Sequence, residues 1–228
     1  MEVRVFPVGL LRCNCVIIAH PSSRTAIVVD PGGDLPRIRS VLQELGVQPT
    51  QVVHTHAHID HLGASAAVAA LGEHSEALGG QGALLGLHRG DAWLWDNVRL
   101  QAESFGMETP VTLPITHWIE HHERLPLAQT HLQVLHTPGH TPGSCCFLLA
   151  REGEPPLVLS GDTIFNGSVG RTDLWGGDRE RLVQSISDNL LCLDEASQVI
   201  PGHGPPTTIG REVRFNPYLE RHHPRAQG

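Results

Sequence analysis

The sequence predicts a mixed fold, α/β or α+β, whose strands carry side chains to a common rim. Three observations lead there. Short runs rich in Val, Ile and Leu alternate with longer helix-like stretches along most of the chain. Several of those runs end in Gly- and Pro-rich turns that each present a His or an Asp. The chain has 228 residues, of which 40% are hydrophobic and 18% charged, the balance of a packed globular protein. That length suits one large two-layer domain spanning residues 1–228.

Taken in order, β-like runs fall at about residues 2–8, 13–19 and 25–29, with Pro21-Ser22-Ser23 as a turn. Asp34 is expected to cap a helix of about 35–45, which Gly46 ends. A strand at 51–54 runs into a histidine-rich loop and then an Ala-rich helix of about 62–71. Residues 83–88 read as a strand, and 90–105 as a helix carrying Trp93 and Trp95. From 106 to 130 the chain is Pro-punctuated and irregular, with one strand near 116–120. Strands near 131–136, 145–150 and 157–160 follow, then a helix of about 179–191, a strand at 197–200 and a final helix near 210–215.

The run Thr55-His-Ala-His-Ile-Asp-His61 places four metal-ligand side chains, His56, His58, Asp60 and His61, within six positions. Neutral imidazoles and carboxylates suit zinc, and also iron or manganese. A helix would splay His56 and His58 by about 200°, whereas residues two apart in extended chain face the same way. The run therefore reads as a loop leaving a strand. Of the 16 histidines, the pairs His121-His122 and His222-His223 are expected to be solvated surface or terminal residues. The 56–61 run differs because it joins the apolar Val52-Val53 to an Ala-rich stretch, a strand-to-helix junction.

Three more segments repeat this grammar. His140 sits in Thr137-Pro-Gly-His-Thr-Pro-Gly143 after an apolar run, and the prolines and glycines make its turn rigid. Leu157-Val-Leu-Ser160 leads into Gly161-Asp162-Thr163, and Gln198-Val-Ile200 leads into Pro201-Gly-His203-Gly204. Together these give five histidines (His56, His58, His61, His140, His203) and two aspartates (Asp60, Asp162). Such a set suits two divalent ions sharing a bridging carboxylate and a bridging water. Zinc is the first expectation, with iron and manganese accepted by the same donors.

The net charge of -8 argues against a duplex nucleic acid partner. No run of some twenty apolar residues suggests a membrane span, and the strand-like Met1-Glu-Val-Arg-Val-Phe start lacks the pattern of a signal peptide. Five cysteines without a Cys-x-x-Cys pair are expected to be buried, reduced thiols, which points to a cytoplasmic setting. The Gly-x-Ser-x-Gly elbow of serine hydrolases is missing, so a metal-activated water takes the nucleophile's place in this reading.

The His-x-His-x-Asp-His run, His140 in its turn, Gly-Asp-Thr and Pro-Gly-His-Gly resemble the metallo-β-lactamase-fold hydrolases, and among them the glyoxalase II-like group. The resemblance covers nearly the whole chain, from Cys13-Asn14-Cys15 and Asp30-Pro-Gly-Gly33 to Asn216-Pro-Tyr-Leu219. Residues 167–173, Gly-Ser-Val-Gly-Arg-Thr-Asp, look most like the short bacterial subgroup. The resemblance implies a four-layer αββα sandwich. It implies one metal on His56, His58 and His140, a second on Asp60, His61 and His203, and Asp162 bridging them, with Asp60 and Asp162 as the catalytic carboxylates.

The implied reaction is hydrolysis of a small-molecule thioester, a hydroxyacylglutathione such as S-lactoylglutathione. Arg171 is similar in position to a basic residue that contacts glutathione in larger glyoxalase II enzymes, but the aromatic residue expected two positions later is Asp173. Most of the C-terminal helical domain of those enzymes is also missing after Asn216-Pro217. An ion pair with Asp173 is the other reading of Arg171. Asp30 is either a partner orienting a ligand imidazole or a plain turn residue. Competing activities are a persulfide dioxygenase with a single iron on two histidines and one aspartate, a lactone or ester hydrolase of the same fold, and a non-catalytic metal-binding module. The Pro-Gly-His-Gly segment, which supplies His203, weighs against the first.

Overall fold

The computed structural model describes residues 1–72 and 82–219. Its first sheet contains β1 (Glu2–Val8), β2 (Cys13–His20), β3 (Thr25–Val29), β4 (Gln48–Val53), β5 (Leu84–His88) and β6 (His117–Ile119), in that spatial order. The first three strands form an antiparallel meander, and β3 to β6 are parallel. Parallel neighbours need crossovers, and here these are helical. α1 (Leu35–Leu45) joins β3 to β4, α2 (Ile59–Leu62) and α3 (Ser65–Ala69) follow β4, and α4 (Ala92–Asp96) and α5 (Val98–Phe105) join β5 to β6.

The second sheet is built from β7 (Arg124–Leu127), β8 (Thr130–His136), β9 (Cys145–Arg151) and β10 (Glu154–Gly161). A small hairpin of β11 (Ile164–Phe165) and β12 (Ser168–Val169) and the helix α6 (Arg179–Asn189) lead to β13 (Gln198–Pro201), β14 (Thr207–Thr208) and α7 (Ile209–Phe215). The order across this sheet is β14-β13-β10-β9-β8-β7, with only the β10–β13 pair parallel.

Side-chain alternation along the strands sorts the interior into three apolar layers. On β2, Val16 and Ile18 face the second sheet, where they meet Leu132, Val134, Phe147, Leu149, Leu157 and Leu159. Cys15 and Ile17, one position out of phase, face Ile38, Leu42, Leu62 and Val68 from the helices of the first half. On the far side of the second sheet, Leu135, Cys146 and Val158 pack on Leu182, Ile186 and Ile209. Two sheets face to face, with helices outside both, make the αββα sandwich that the resemblance implies.

Several expectations change. Asp34 makes no side-chain cap; it sits in the left-handed region with φ of 50°, and its carboxylate accepts the Gly9 N–H at 2.9 Å, fixing the β1–β2 turn. The helix expected at 62–71 is two short ones, and α2 begins at Ile59, inside the histidine run. The helix expected at 90–105 breaks at Asn97, whose side-chain amide donates to the Trp93 carbonyl at 2.8 Å. β7 lies in the stretch read as irregular: Pro126 reads as a breaker, but an edge strand tolerates it. Cys13, Cys15, Cys145 and Cys146 are buried and free as expected, whereas Cys192 is exposed. His121 and His122 are exposed, and His222-His223 lies outside the described residues. Among the described residues no helix is long and apolar enough to cross a membrane.

Candidate metal centre

Four strands end at one rim. β4 releases His56, His58 and the start of α2, which carries Asp60 and His61; β8 precedes the turn holding His140; β10 ends beside Asp162; β13 ends beside His203. Nδ1 of His58 lies 2.9 Å from Nε2 of His140, which lies 3.2 Å from Nε2 of His56. On the other side, Nε2 of His203 lies 3.2 Å from Nε2 of His61 and 3.0 Å from Oδ2 of Asp60. Asp162 stands between these triads, with Oδ1 at 3.5 Å from Nε2 of His61 and Oδ2 at 3.7 Å from Nε2 of His140. All seven expected side chains thus meet, in groups of ligand atoms tight enough to hold metal ions.

The fit to cations follows from the tautomers. Nδ1 of His140 donates to the Arg171 carbonyl at 2.7 Å, Nδ1 of His61 to Oδ2 of Asp30 at 3.0 Å, and Nδ1 of His203 to the Leu11 carbonyl at 3.0 Å. The Thr55 hydroxyl donates to Oδ2 of Asp30 at 2.7 Å and can then receive Nδ1–H of His56 at 3.0 Å. In the neutral forms of His56, His61, His140 and His203 the inward lone pair is then on Nε2. Lone pairs this close repel unless a metal ion or a proton lies between them. Oδ1 of Asp162 is also buried without a hydrogen-bond partner. Neutral imidazoles with two carboxylates are the donor set for divalent metals.

The triads differ electrostatically. Burial, reinforced by neighbouring imidazoles, lowers the His56 pKa well below the ordinary value and that of His58 to about 3. Burial also disfavours charge on His61 and His203, but it is outweighed. Cys13 and the carboxylates of Asp60, Asp162 and Asp30 raise His61 well above the ordinary value. The hydrogen bond to Asp60, with Asp162 nearby, raises His203.

Asp30 is the orienting partner of the two readings weighed for it. It is 2% exposed, its Oδ1 accepts the Thr55 N–H at 2.8 Å, and its Oδ2 holds His61. Arg171 divides in two: its carbonyl fixes His140, while its exposed guanidinium pairs with Asp173 at 2.7 and 2.8 Å. The side chain is therefore not brought into the cluster. Gly170 is required beside it, since a Cβ there would lie 1.9 Å from the Asp162 carbonyl oxygen. Gly202 answers the same need, as its Cβ would meet Oδ1 of Asp162 at 2.2 Å.

Two supporting residues escaped the sequence reading. Asp91 is fully buried and joins the two loops of the first triad: it accepts the Ala57 N–H at 2.9 Å, the Thr141 hydroxyl at 2.8 Å and the Gly143 N–H at 2.6 Å. It follows a strand and a glycine, as Asp162 does, so the same grammar would have found it. Gln101, also buried, accepts the Ile59 N–H at 3.0 Å and donates to the Ala57 carbonyl at 2.9 Å. No local signal marks a helical Gln for that task.

The family model described as the Metallo-beta-lactamase superfamily matches residues 8–205. A protein of Haemophilus influenzae named hydroxyacylglutathione hydrolase GloC is 34% identical, with 96% of this chain and 98% of that protein covered. Among solved structures, BLEG-1 B3 metallo-beta-lactamase superposes with a TM-score of 0.82 at 31% identity, covering 96% of this chain and 99% of its own. TTHA1623 in a di-iron-bound form gives a TM-score of 0.77 at 36% identity, covering 95% and 100%.

Proposed function

The chain belongs to the metallo-β-lactamase superfamily, and from that premise we propose that it is a dinuclear metal-dependent hydrolase of thioesters, with S-lactoylglutathione or a related hydroxyacylglutathione as substrate. The observation that carries this reading is the position of Asp162, whose two oxygens face one histidine from each triad. Two divalent ions held this way supply hydroxide at neutral pH and an electrophile for a carbonyl oxygen. His56, His58 and His140 would hold one ion, Asp60, His61 and His203 the other, and Asp162 would set the spacing.

The chain's own work is orientation. Asp30, Thr55 and the carbonyls of Leu11 and Arg171 fix the imidazole orientations, so the inward ring nitrogens converge before any ion arrives. Asp60 and Asp162 are both held below the ordinary carboxylate pKa, against the opposing effect of burial, because His61 and its neighbouring histidines face them. They remain ionised and serve as ligands and charge balance instead of proton donors. That suits a thioester, since a thiolate leaves without a strong general acid.

The name of the Haemophilus influenzae relative supports the glutathione thioester class. The exposed Arg171 guanidinium is the residue we assign to the glutathione end. Zinc is the proposed resident metal, with iron accepted by the same donors. Four buried unpaired thiols support a reducing, cytoplasmic setting. The net charge of -8 supports a small-molecule substrate over nucleic acid. Both sheets contribute ligands, which supports residues 1–228 acting as one domain.

Elemental analysis of purified protein, run beside an S-lactoylglutathione assay before and after chelation, tests the proposal. Two metal equivalents and chelator-sensitive hydrolysis are expected. A single iron, with oxygen uptake on glutathione persulfide and no hydrolysis, would establish the dioxygenase reading instead. His203 disfavours that outcome, because its ring completes a second triad that a single-iron site would not use.

A further inference from the structure

Asn14 sits at the start of β2, far from the ligand run in sequence and outside the seven-residue cluster. Its side-chain amide donates to two carbonyls, Pro201 at 2.9 Å and Gly204 at 3.0 Å, which flank His203 on either side. Its backbone N–H donates to the Gly202 carbonyl between them at 2.7 Å. One residue thus grips three carbonyls of the four-residue turn that carries His203. Three residues earlier, the Leu11 carbonyl accepts from Nδ1 of His203. The same hairpin therefore fixes both the backbone and the ring of this ligand. An amide suits the position, because it offers two N–H donors to two acceptors, whereas a carboxylate would set oxygen against oxygen.

We propose that Asn14 is a positioning residue that controls occupancy of the second metal site, the one formed by Asp60, His61 and His203, and leaves the first site untouched. The inference rests on the dinuclear reading above. It predicts a difference in kind between the two sites. The first triad has no hydrogen bond to Asn14 and is braced through Asp91 and Gln101, whereas His203 reaches the cluster on a turn that Asn14 clamps.

Wild type, Asn14→Ala, Asn14→Asp and His203→Ala are each stripped of metal and titrated with cobalt(II), whose visible bands follow binding step by step. The unfolding midpoint of each apoprotein is measured beside the titration. Asn14→Ala should bind the first equivalent as wild type does and the second about 10- to 100-fold more weakly. Asn14→Asp, of nearly unchanged shape, should be weaker still and approach His203→Ala. A general loss of structure would weaken both steps alike and lower the apoprotein midpoint, which would overturn the proposal. Two equivalents bound by Asn14→Ala at wild-type affinity would overturn it too, with the dinuclear reading intact. A single equivalent in wild type would overturn the dinuclear reading, and this proposal with it.

Discussion

His56, His58 and His140 are 1%, 6% and 2% exposed, whereas the side chains of Asp60 and His203 are 15% and 28% exposed. The first triad lies under buried polar side chains, Asp91 and Gln101, which tie its loops together. The second hangs partly on backbone carbonyls at two turns of the rim, those of Leu11 and the 201–204 segment. Similar ligand chemistry is thus seated in two ways. Burial around His56 and His58 disfavours protons as well as water, while the carboxylates beside His61 and His203 favour protons there. The first should behave as the permanent site and the second as the exchangeable one.

The largest expected effect tests the sealed triad. His58→Ala should reduce thioester hydrolysis to background and lower bound metal, with circular dichroism showing a folded protein. Full activity in that variant would remove His58 from the site and dissolve the distinction. Next, Asp91→Asn should weaken metal binding at the first triad about 10- to 100-fold. One of its two oxygens becomes an N–H₂ that faces a donor, so a stability loss of about 1–3 kcal/mol should accompany it. Denaturant unfolding of the apoprotein and cobalt(II) titration would measure the two effects. Unchanged metal affinity would leave Asp91 with a purely structural role.

Acidity should separate the triads more gently. His61 and His203 have raised pKa values, so on lowering the pH they take up protons before ordinary histidines do; His56 and His58, with lowered values, take them up after. Protons compete with metal for the same lone pairs. Metal should therefore leave the second triad at a higher pH than the first, giving two steps in a pH series of equilibrium dialysis. A single step releasing both equivalents would contradict the contrast. The smallest effect belongs to Arg171→Ala. KM for a glutathione thioester should rise more than kcat falls, with metal content unchanged, because only the Arg171 carbonyl supports His140. An unchanged KM would leave the side chain its ion pair with Asp173 and no substrate role.

The seven clustered side chains and the strands that deliver them were readable because both are local. Thr55 to His58 announces extended chain by placing His56 and His58 two apart, and Pro-Gly turns mark His140 and His203 without reference to anything distant. The failures have the opposite character. Pro126 reads as a breaker until β8 supplies the neighbour that makes β7 an edge strand. Asp34 reads as a helix cap, yet its carboxylate reaches across to the Gly9 N–H of the β1–β2 turn.

What the amino-acid sequence determined by itself was the chemistry: five imidazoles and two carboxylates, each at the end of an apolar run, with a composition fit to bury them. What only tertiary structure decided was their seating. Asp91 spans 34 and 52 residues to reach Ala57 and Gly143, and Asn14 spans 187 to reach Pro201. Spacing along the chain encodes which way a side chain points from its own strand, but which carbonyl or N–H it meets depends on how the two sheets pack.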